Sequence, residues 1–321
     1  MIDSYESVVC KFSGAGNDFV VLDGRKGGMD VFREPVRIGE LCREYHTDGL
    51  MILDRSGDAP AGAHALDFKM EFYNPDGSGG MMCGTGGRCI VAFADYLGIR
   101  PADGKTYHFL APDGPHTAEI LAYPEETPFG GTPFASLTPA PPAASAAGPS
   151  PSPCAGVHMS SEGSLLRKWT VRLKMIDVQG VTPIKDGYFL NTGTRHFVKF
   201  TDAVDALDME AVSKPLRWDA AFQPEGTNVN LVEVRPDGLH VRTYEKGVEG
   251  ETLACGTGIT ASALAAWHAG VSEAERPEGA ISYRLQCRRG DWLEVRFQPA
   301  AEDSFTDVYL TGPAELVQVT E

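Results

Sequence analysis

The chain has 321 residues, 42% of them hydrophobic, with 44 acidic against 28 basic residues and a formal net charge of -16. That length suggests two domains, and that hydrophobic fraction fills real cores, so neither disulfides nor metal are needed to hold them. The acidic balance argues against nucleic acid or anionic lipid as a partner, and seven cysteines without framework spacing suit a reducing cytoplasm. No run approaches the roughly 18 apolar residues of a membrane span, and MIDSYESVVCKF lacks the basic head and apolar run of a secretory signal.

In chain order, strands are expected at residues 8–12, 50–54 and 69–73, and a helix from 89 to 97. The helix follows from the spacing of Cys89, Ile90, Phe93, Ala94 and Leu97, with Gly98 as its stop. Residues 124–163 differ in kind. Their middle, SLTPAPPAASAAGPSPSPCAG, is Pro/Ala/Ser-rich without periodicity and reads as a linker or surface insertion. Beyond it come strands at 169–176, 229–234 and 240–244, then a helix at 259–269 that is apolar almost all round. Strands at 293–298 and 308–311 close the chain.

The pieces on either side of the insertion repeat one design. GAGNDFVVLD and later FYNPDGSGGMMCGTGGRCIVAFADYLG in the first half answer NTGTRHFVKF and TYEKGVEGETLACGTGITASALAAWHAG in the second. Each half has a Gly-containing turn into a Phe-Val strand, an alternating strand, an acidic Gly-rich loop, Cys-Gly-Thr-Gly, and a helix. The expected fold is α+β, with two pseudo-symmetric domains, each a curved barrel-like mixed sheet around one central helix. The halves span residues 1–123 and 164–307.

Cys-Gly-Thr-Gly at a helix start brings together unpaired N–H groups, the positive end of the helix dipole and glycines that allow close approach. A carboxylate can bind there, and a cysteine at that point is expected to have a lowered pKa. A cysteine at each of two converging helix starts, Cys83 and Cys255, can do more. One sulfur can remove an α-proton while the other returns a proton to the opposite face. The helix-start amides would stabilise the charge that builds on the substrate carboxylate. This scheme requires neither cofactor nor metal. A lone cysteine is most often core, and Cys10, Cys42, Cys89, Cys154 and Cys287 are read so. Gly14-Ala15-Gly16 has Phe19 where a dinucleotide fingerprint needs its third glycine, and Cys-Gly-Thr-Gly lacks the Lys-Ser/Thr of a P-loop.

GAGNDF, FYNPDGSGGMMCGTGGRC, GTNVNLVEV, YEKGVEGETLACGTG and VYLTGPAEL, in this order, resemble the diaminopimelate epimerases of the pyridoxal-independent racemase superfamily. The resemblance implies epimerisation of LL-2,6-diaminopimelate to the meso form, serving lysine and peptidoglycan synthesis. It also implies that a last strand in 308–321 returns to the first domain. By position it makes Cys83 and Cys255 the thiolate/thiol pair. Gly84, Thr85, Gly256 and Thr257 would hold the reacting carboxylate. Asn17, Asn74 and Asn228 would read the far end of the substrate, where an amide both donates and accepts. Glu245 would bind an ammonium group, and His196 would help arrange the site. A small-molecule amino-acid substrate is the only partner implied, and a homodimer is compatible with it.

Four positions depart from the family pattern. Lys246 stands where Arg is usual, Thr194-Arg195 where Asn-Pro is common, and Thr85 where Asn is frequent. An ammonium cannot grip a carboxylate bidentately as a guanidinium does, so Arg195 is expected to supply part of what Lys246 lacks. These departures keep two rivals in view: a two-cysteine racemase of another amino acid, and a non-catalytic amino-acid-binding protein. Binding alone would need neither cysteine.

Overall fold

The computed structural model describes residues 8–57, 65–79, 83–124, 167–271, 279–301 and 303–320. The expected insertion at 124–163 lies outside the described residues from 125 onward. The first half contains β1 (Val9–Gly14), β2 (Asn17–Asp23), α1 (Pro35–Tyr45), β3 (Gly49–Asp54), β4 (Phe68–Tyr73), α2 (Gly84–Tyr96), β5 (Thr106–Ala111) and β6 (Gly114–Ala122). Then follow β7 (Arg167–Lys174), β8 (Thr182–Ile184), β9 (Gly187–Asn191), β10 (Arg195–Phe200), α3 (Met209–Arg217), β11 (Asn228–Arg235) and β12 (Gly238–Glu245). The chain continues through β13 (Gly250–Thr252), α4 (Gly256–His268), β14 (Ile281–Gln286) and β15 (Trp292–Pro299) to β16 (Phe305–Thr320).

One mixed sheet runs β1-β2-β3-β4-β5-β6-β7-β16-β15-β14-β12-β11-β10-β9-β8. A further pairing of β1 with β16 closes the first seven strands and β16 into an eight-stranded barrel. The long β16 serves both halves. Its beginning pairs with β15 through Leu310 and Thr311, and its end with β7 and β1 through Gly312 to Thr320. On the far side, a bridge from Val178 to Phe305 brings the approach to β8 back against the start of β16.

Strands that lie under the outer helices, such as β2 and β11, are covered on both faces, and period-two alternation sorts their side chains. Phe19 and Val21 of β2 point inward to the cluster that holds α2, while Val20 and Leu22 point outward against Ile38, Leu41 and Cys42 of α1. In the second half Val198 and Val232 face inward, while Phe197, Val229 and Leu231 pack outward with Met209 of α3. The outer helices were not foreseen. Their apolar residues are few, and α3 carries an internal proline, Pro215.

The two inner helices end alike. Gly98 (φ 78°) donates to Asp95 O and Ile99 to Ala94 O; Gly270 (φ 75°) donates to Trp267 O and Val271 to Ala266 O. This paired capping needs a left-handed residue, and glycine supplies it without a Cβ penalty. No helix among the described residues is long and apolar enough to cross a membrane.

Candidate active site

The two inner helices meet start to start. Cys83 is the N-cap of α2 and Cys255 the N-cap of α4, both with extended backbone. A Cβ added to Gly256 would come 3.1 Å from the Gly84 Cα and 3.1 Å from Leu310 Cδ2 of the shared strand. A Cβ on Gly84 would lie 2.9 Å from the same leucine atom. Contact this close is open only to glycine, and it aims both sets of free helix-start N–H groups at one place.

The thiols differ in surroundings. Cys83 is half-buried and its Sγ accepts a hydrogen bond from Gly86 N at 3.1 Å. Cys255 is buried, and its Sγ lies 3.4 Å from Thr257 Oγ1. The helix starts alone would lower both thiol pKa values, and burial reverses this. Burial pushes Cys83 up, with the Gly86 N–H and the Arg88 charge pulling down and Glu245 adding to the rise. Burial also pushes Cys255 up, followed by the nearby Glu245 charge, against weaker help from Thr257 and Gly258. A helix end contributes about 2 kcal/mol at best, and desolvation of a thiolate outweighs it.

Glu245 ends β12, and Thr252 Oγ1 of β13 donates to its Oε1. Burial raises its carboxyl pKa, opposed by hydrogen bonds from Thr252 and the Cys255 thiol. The carboxyl therefore sits beside Cys255, and among the described residues no cation is paired with it there.

A buried polar chain reaches Cys255 from the other side. Parallel pairing of β10 with β11 sets His196 opposite Asn228 and Val198 opposite Asn230. Asn230 Nδ2 donates to Phe197 O at 3.3 Å and to His196 Nδ1 at 3.0 Å, and its Oδ1 accepts from Thr243 Oγ1 at 3.0 Å. His196 Nδ1 must then accept, which puts the ring proton on Nε2. From there it donates to Thr257 Oγ1 at 3.0 Å or Thr194 Oγ1 at 2.9 Å. Burial drops the His196 pKa to about 3, partly offset by the Asn230 contact, so the ring is neutral. The Thr257 hydroxyl is left free to donate to Cys255 Sγ. Asn230 was not singled out in the sequence. The signal was there, as a second asparagine two residues after Asn228, on the same strand face.

The remaining predicted residues divide. Asn17 opens β2 after a tight turn in which Ala15 (φ 60°) and Gly16 (φ 105°) are both left-handed, and its Oδ1 is buried with no hydrogen-bond partner. That orphan acceptor is suited to a ligand donor. Asn74 holds its own turn, donating through Nδ2 to Ser78 Oγ at 3.0 Å. Asn228 is used up as a staple, with Nδ2 on Arg195 O at 2.9 Å and Oδ1 accepting Lys246 N at 2.8 Å. Thr85 is buried and Lys246 exposed. Arg195 does not complement Lys246 as expected. Its guanidinium pairs with Glu225 and lies 5.1 Å from the centroid of the Phe189 ring.

Solved structures share this architecture. A Bacillus anthracis phenazine biosynthesis protein of the PhzF family matches with a TM-score of 0.63 at 10% identity, covering 98% of each chain. A probable proline racemase from Agrobacterium radiobacter matches with a TM-score of 0.56 at 14% identity, covering 98% of this chain and 92% of that one. The fold is thus one found among racemase-like proteins, here with a cysteine at each inner helix start. Among curated proteins, the diaminopimelate epimerase of Chlorobaculum tepidum is 35% identical over 95% of this chain and 97% of its own length. The family model "Diaminopimelate epimerase" matches residues 188–286. The chain belongs to the diaminopimelate epimerase family.

Proposed function

We propose that the protein interconverts LL- and meso-2,6-diaminopimelate by moving one α-proton between Cys83 and Cys255. The observation that carries this is the direct abutment of two cysteine-capped helix starts in a chain of this family. The substrate α-carboxylate binds the backbone N–H groups at Gly84-Thr85 and Gly256-Thr257, where dipole and unpaired donors favour an anion. One sulfur, as thiolate, takes the α-proton and becomes S–H. The pair of electrons left on carbon spreads into the carboxylate, steadied by those N–H groups. The other S–H then gives its proton to the opposite face, which inverts the centre.

Glu245 receives the α-ammonium, and that cation offsets the Glu245 charge, which adds to burial in raising both thiols. His196 and Thr194 fix Thr257, and Thr257 fixes the Cys255 sulfur. Asn17 and Asn74 read the distal amino-acid group, with Lys246 meeting its carboxylate. In this reading residues 1–123 with the final strand form one half and 164–307 the other. The net charge of -16 supports a protein that avoids nucleic acid and anionic membranes, placed in the cytoplasm and able to work as a homodimer.

Proton NMR of LL-diaminopimelate with reduced protein in deuterium oxide tests the reaction. Loss of the α-proton signal with growth of the meso isomer is expected, and Cys83→Ala and Cys255→Ala should each abolish it in folded protein. Lack of exchange by the reduced wild-type protein would refute the reading. Turnover of another amino acid instead would favour the rival racemase, for which Lys246 and Arg195 are the pointers.

A further inference from the structure

The turn between β12 and β13 carries Lys246 and lies outside the sheet ladder. Glu245 is the last residue of β12 and pairs with Gly250 of β13, so the sheet itself fixes it. Lys246, Gly247, Val248 and Glu249 have no strand partner, and all four are exposed. The chain bends there through two left-handed residues, Gly247 (φ 91°) and Glu249 (φ 54°). Glycine adopts that conformation freely, whereas a glutamate keeps it only where its contacts hold it. The lysine stem is flexible, so the place of its ammonium depends first on how firmly its backbone is held.

Contacts hold this turn from two sides. Asn228 Oδ1 accepts from Lys246 N at 2.8 Å. One residue on, Gly247 N donates to Glu249 Oε1 at 3.1 Å. The same oxygen accepts from Arg217 Nη2 at 2.9 Å and from Arg217 Nε at 3.2 Å. The backbone of Glu249 is tied as well, its N–H donating to Glu245 O and its carbonyl accepting from Tyr244 Oη, both at 2.8 Å. Arg217 ends α3, and only 4% of its side chain is exposed. Its guanidinium lies 4.1 Å from the Trp218 ring centroid, and a Cβ on Gly226 would fall 1.7 Å from its Nη1. The arginine is thus wedged between α3 and the approach to β11, and Glu249 ties the turn to it. What the turn presents is Lys246, whose ammonium makes no hydrogen bond or ion pair among the described residues. We propose that Arg217 and Glu249 form a clamp that fixes where Lys246 projects, and so set affinity for the carboxylate at the far end of the substrate. The proposal rests on the reading above in which Lys246 meets that carboxylate. Both are positioning residues, acting on substrate only through Lys246. Because β12–β13 pairing holds Glu245 without them, they bear on binding and leave proton transfer alone.

The experiment is a double-mutant cycle on the full chain, with steady-state kinetics on LL-diaminopimelate. Lys246→Ala should raise KM by about tenfold through loss of a charged contact. Glu249→Ala should raise KM by about five- to tenfold and keep kcat within about twofold. In a Lys246→Ala background, Glu249→Ala should add almost nothing, since the clamp then has no ammonium to place. Glu249→Gln, whose amide oxygen can still accept from Gly247 and Arg217, should keep most of the wild-type affinity. KM effects that simply multiply in the double variant would overturn the proposal, as would a fall in kcat at unchanged KM. If Glu249→Ala does not fold, Arg217→Lys, which keeps the charge and loses the forked pair, goes through the same cycle. Hydrogen exchange over residues 244–252 separates the clamp from the reading it rests on. Exchange equally slow in wild type and Glu249→Ala would overturn the clamp. An unchanged KM in Lys246→Ala protein, with exchange faster in Glu249→Ala, would instead overturn the role given to Lys246 and with it the effect on affinity.

Discussion

Gly258, in the first turn of α4, tests whether the buried chain behind Cys255 is held as tightly as its contacts suggest. Propensity alone says that Gly258→Ala should stabilise the helix by about 1 kcal/mol. The structure says the opposite. The new Cβ would come 2.3 Å from Asn230 Oδ1, and 3.3 Å from His196 Cε1 and Thr243 Oγ1. Asn230 is fully buried and tied on both ends of its amide, to Thr243 on one side and to His196 and Phe197 on the other. It cannot yield without leaving the Thr243 hydroxyl and the His196 ring unpartnered, at about 1–3 kcal/mol for each buried group. Set against the propensity gain, the net loss is roughly 1–5 kcal/mol, or a Tm lower by about 2–8 °C. Urea unfolding and calorimetry of wild type and variant measure it. The displaced Thr257 should also slow turnover in the protein that remains folded. A variant as stable as wild type, or more so, would show that the network gives way easily and that the argument for a fixed Cys255 is wrong.

His196 carries a second prediction. Its folded pKa is lowered to about 3 from 6.5, so the unfolded chain binds a proton that the folded chain refuses. Its contribution is intact above pH 6.5 and drains away by about 1.4 kcal/mol per unit as pH falls toward 3. His196→Gln should lose that slope in denaturant titrations between pH 4 and 6.5, and equal slopes in the two proteins would contradict a buried neutral ring. Glu71 supplies a third. Burial raises its pKa, but hydrogen bonds from Arg33, Lys69 and Tyr73 win and hold it down to about 2. The ionised form therefore stabilises the fold fully above the reference value of 4.5 and fades as pH falls to about 2. Glu71→Gln should lower stability by ~1–2 kcal/mol at neutral pH after allowance for solvent screening, and the difference should shrink in acid. A gap that stays constant down to pH 2.5 would sink that account.

Much of the site was legible because its chemistry is local. Cys-Gly-Thr-Gly before a helical pattern places a thiol among free N–H groups whatever surrounds it, and its repetition at Cys83 and Cys255 gave both the duplicated architecture and the two-sided chemistry. Gly98 marked its helix end correctly, because a left-handed cap is a property of one residue. Strands at β4 and β12 were readable from short-range alternation. The outer helices α1 and α3 were not, since each is stabilised by tertiary packing on a sheet face and not by its own pattern. Arg88 stood in a quoted motif without being noticed, because sequence does not show that its charge is buried. Arg195 was expected near the distal end of the substrate, yet Glu225 and Phe189, contributed by other segments, hold it.

The sequence by itself determined the repeat, the two cysteine-capped helices and hence the family's reaction type, all set by neighbours a few residues apart. Only the tertiary structure decided how these charges compare. Closure through β16 brings Gly84 against Gly256, buries Cys255 and Arg88, and leaves Cys83 and Glu245 partly covered. Solvation and charge-pair energies depend on distance through space, so the balance between Cys83 and Cys255 exists only once the chain has folded.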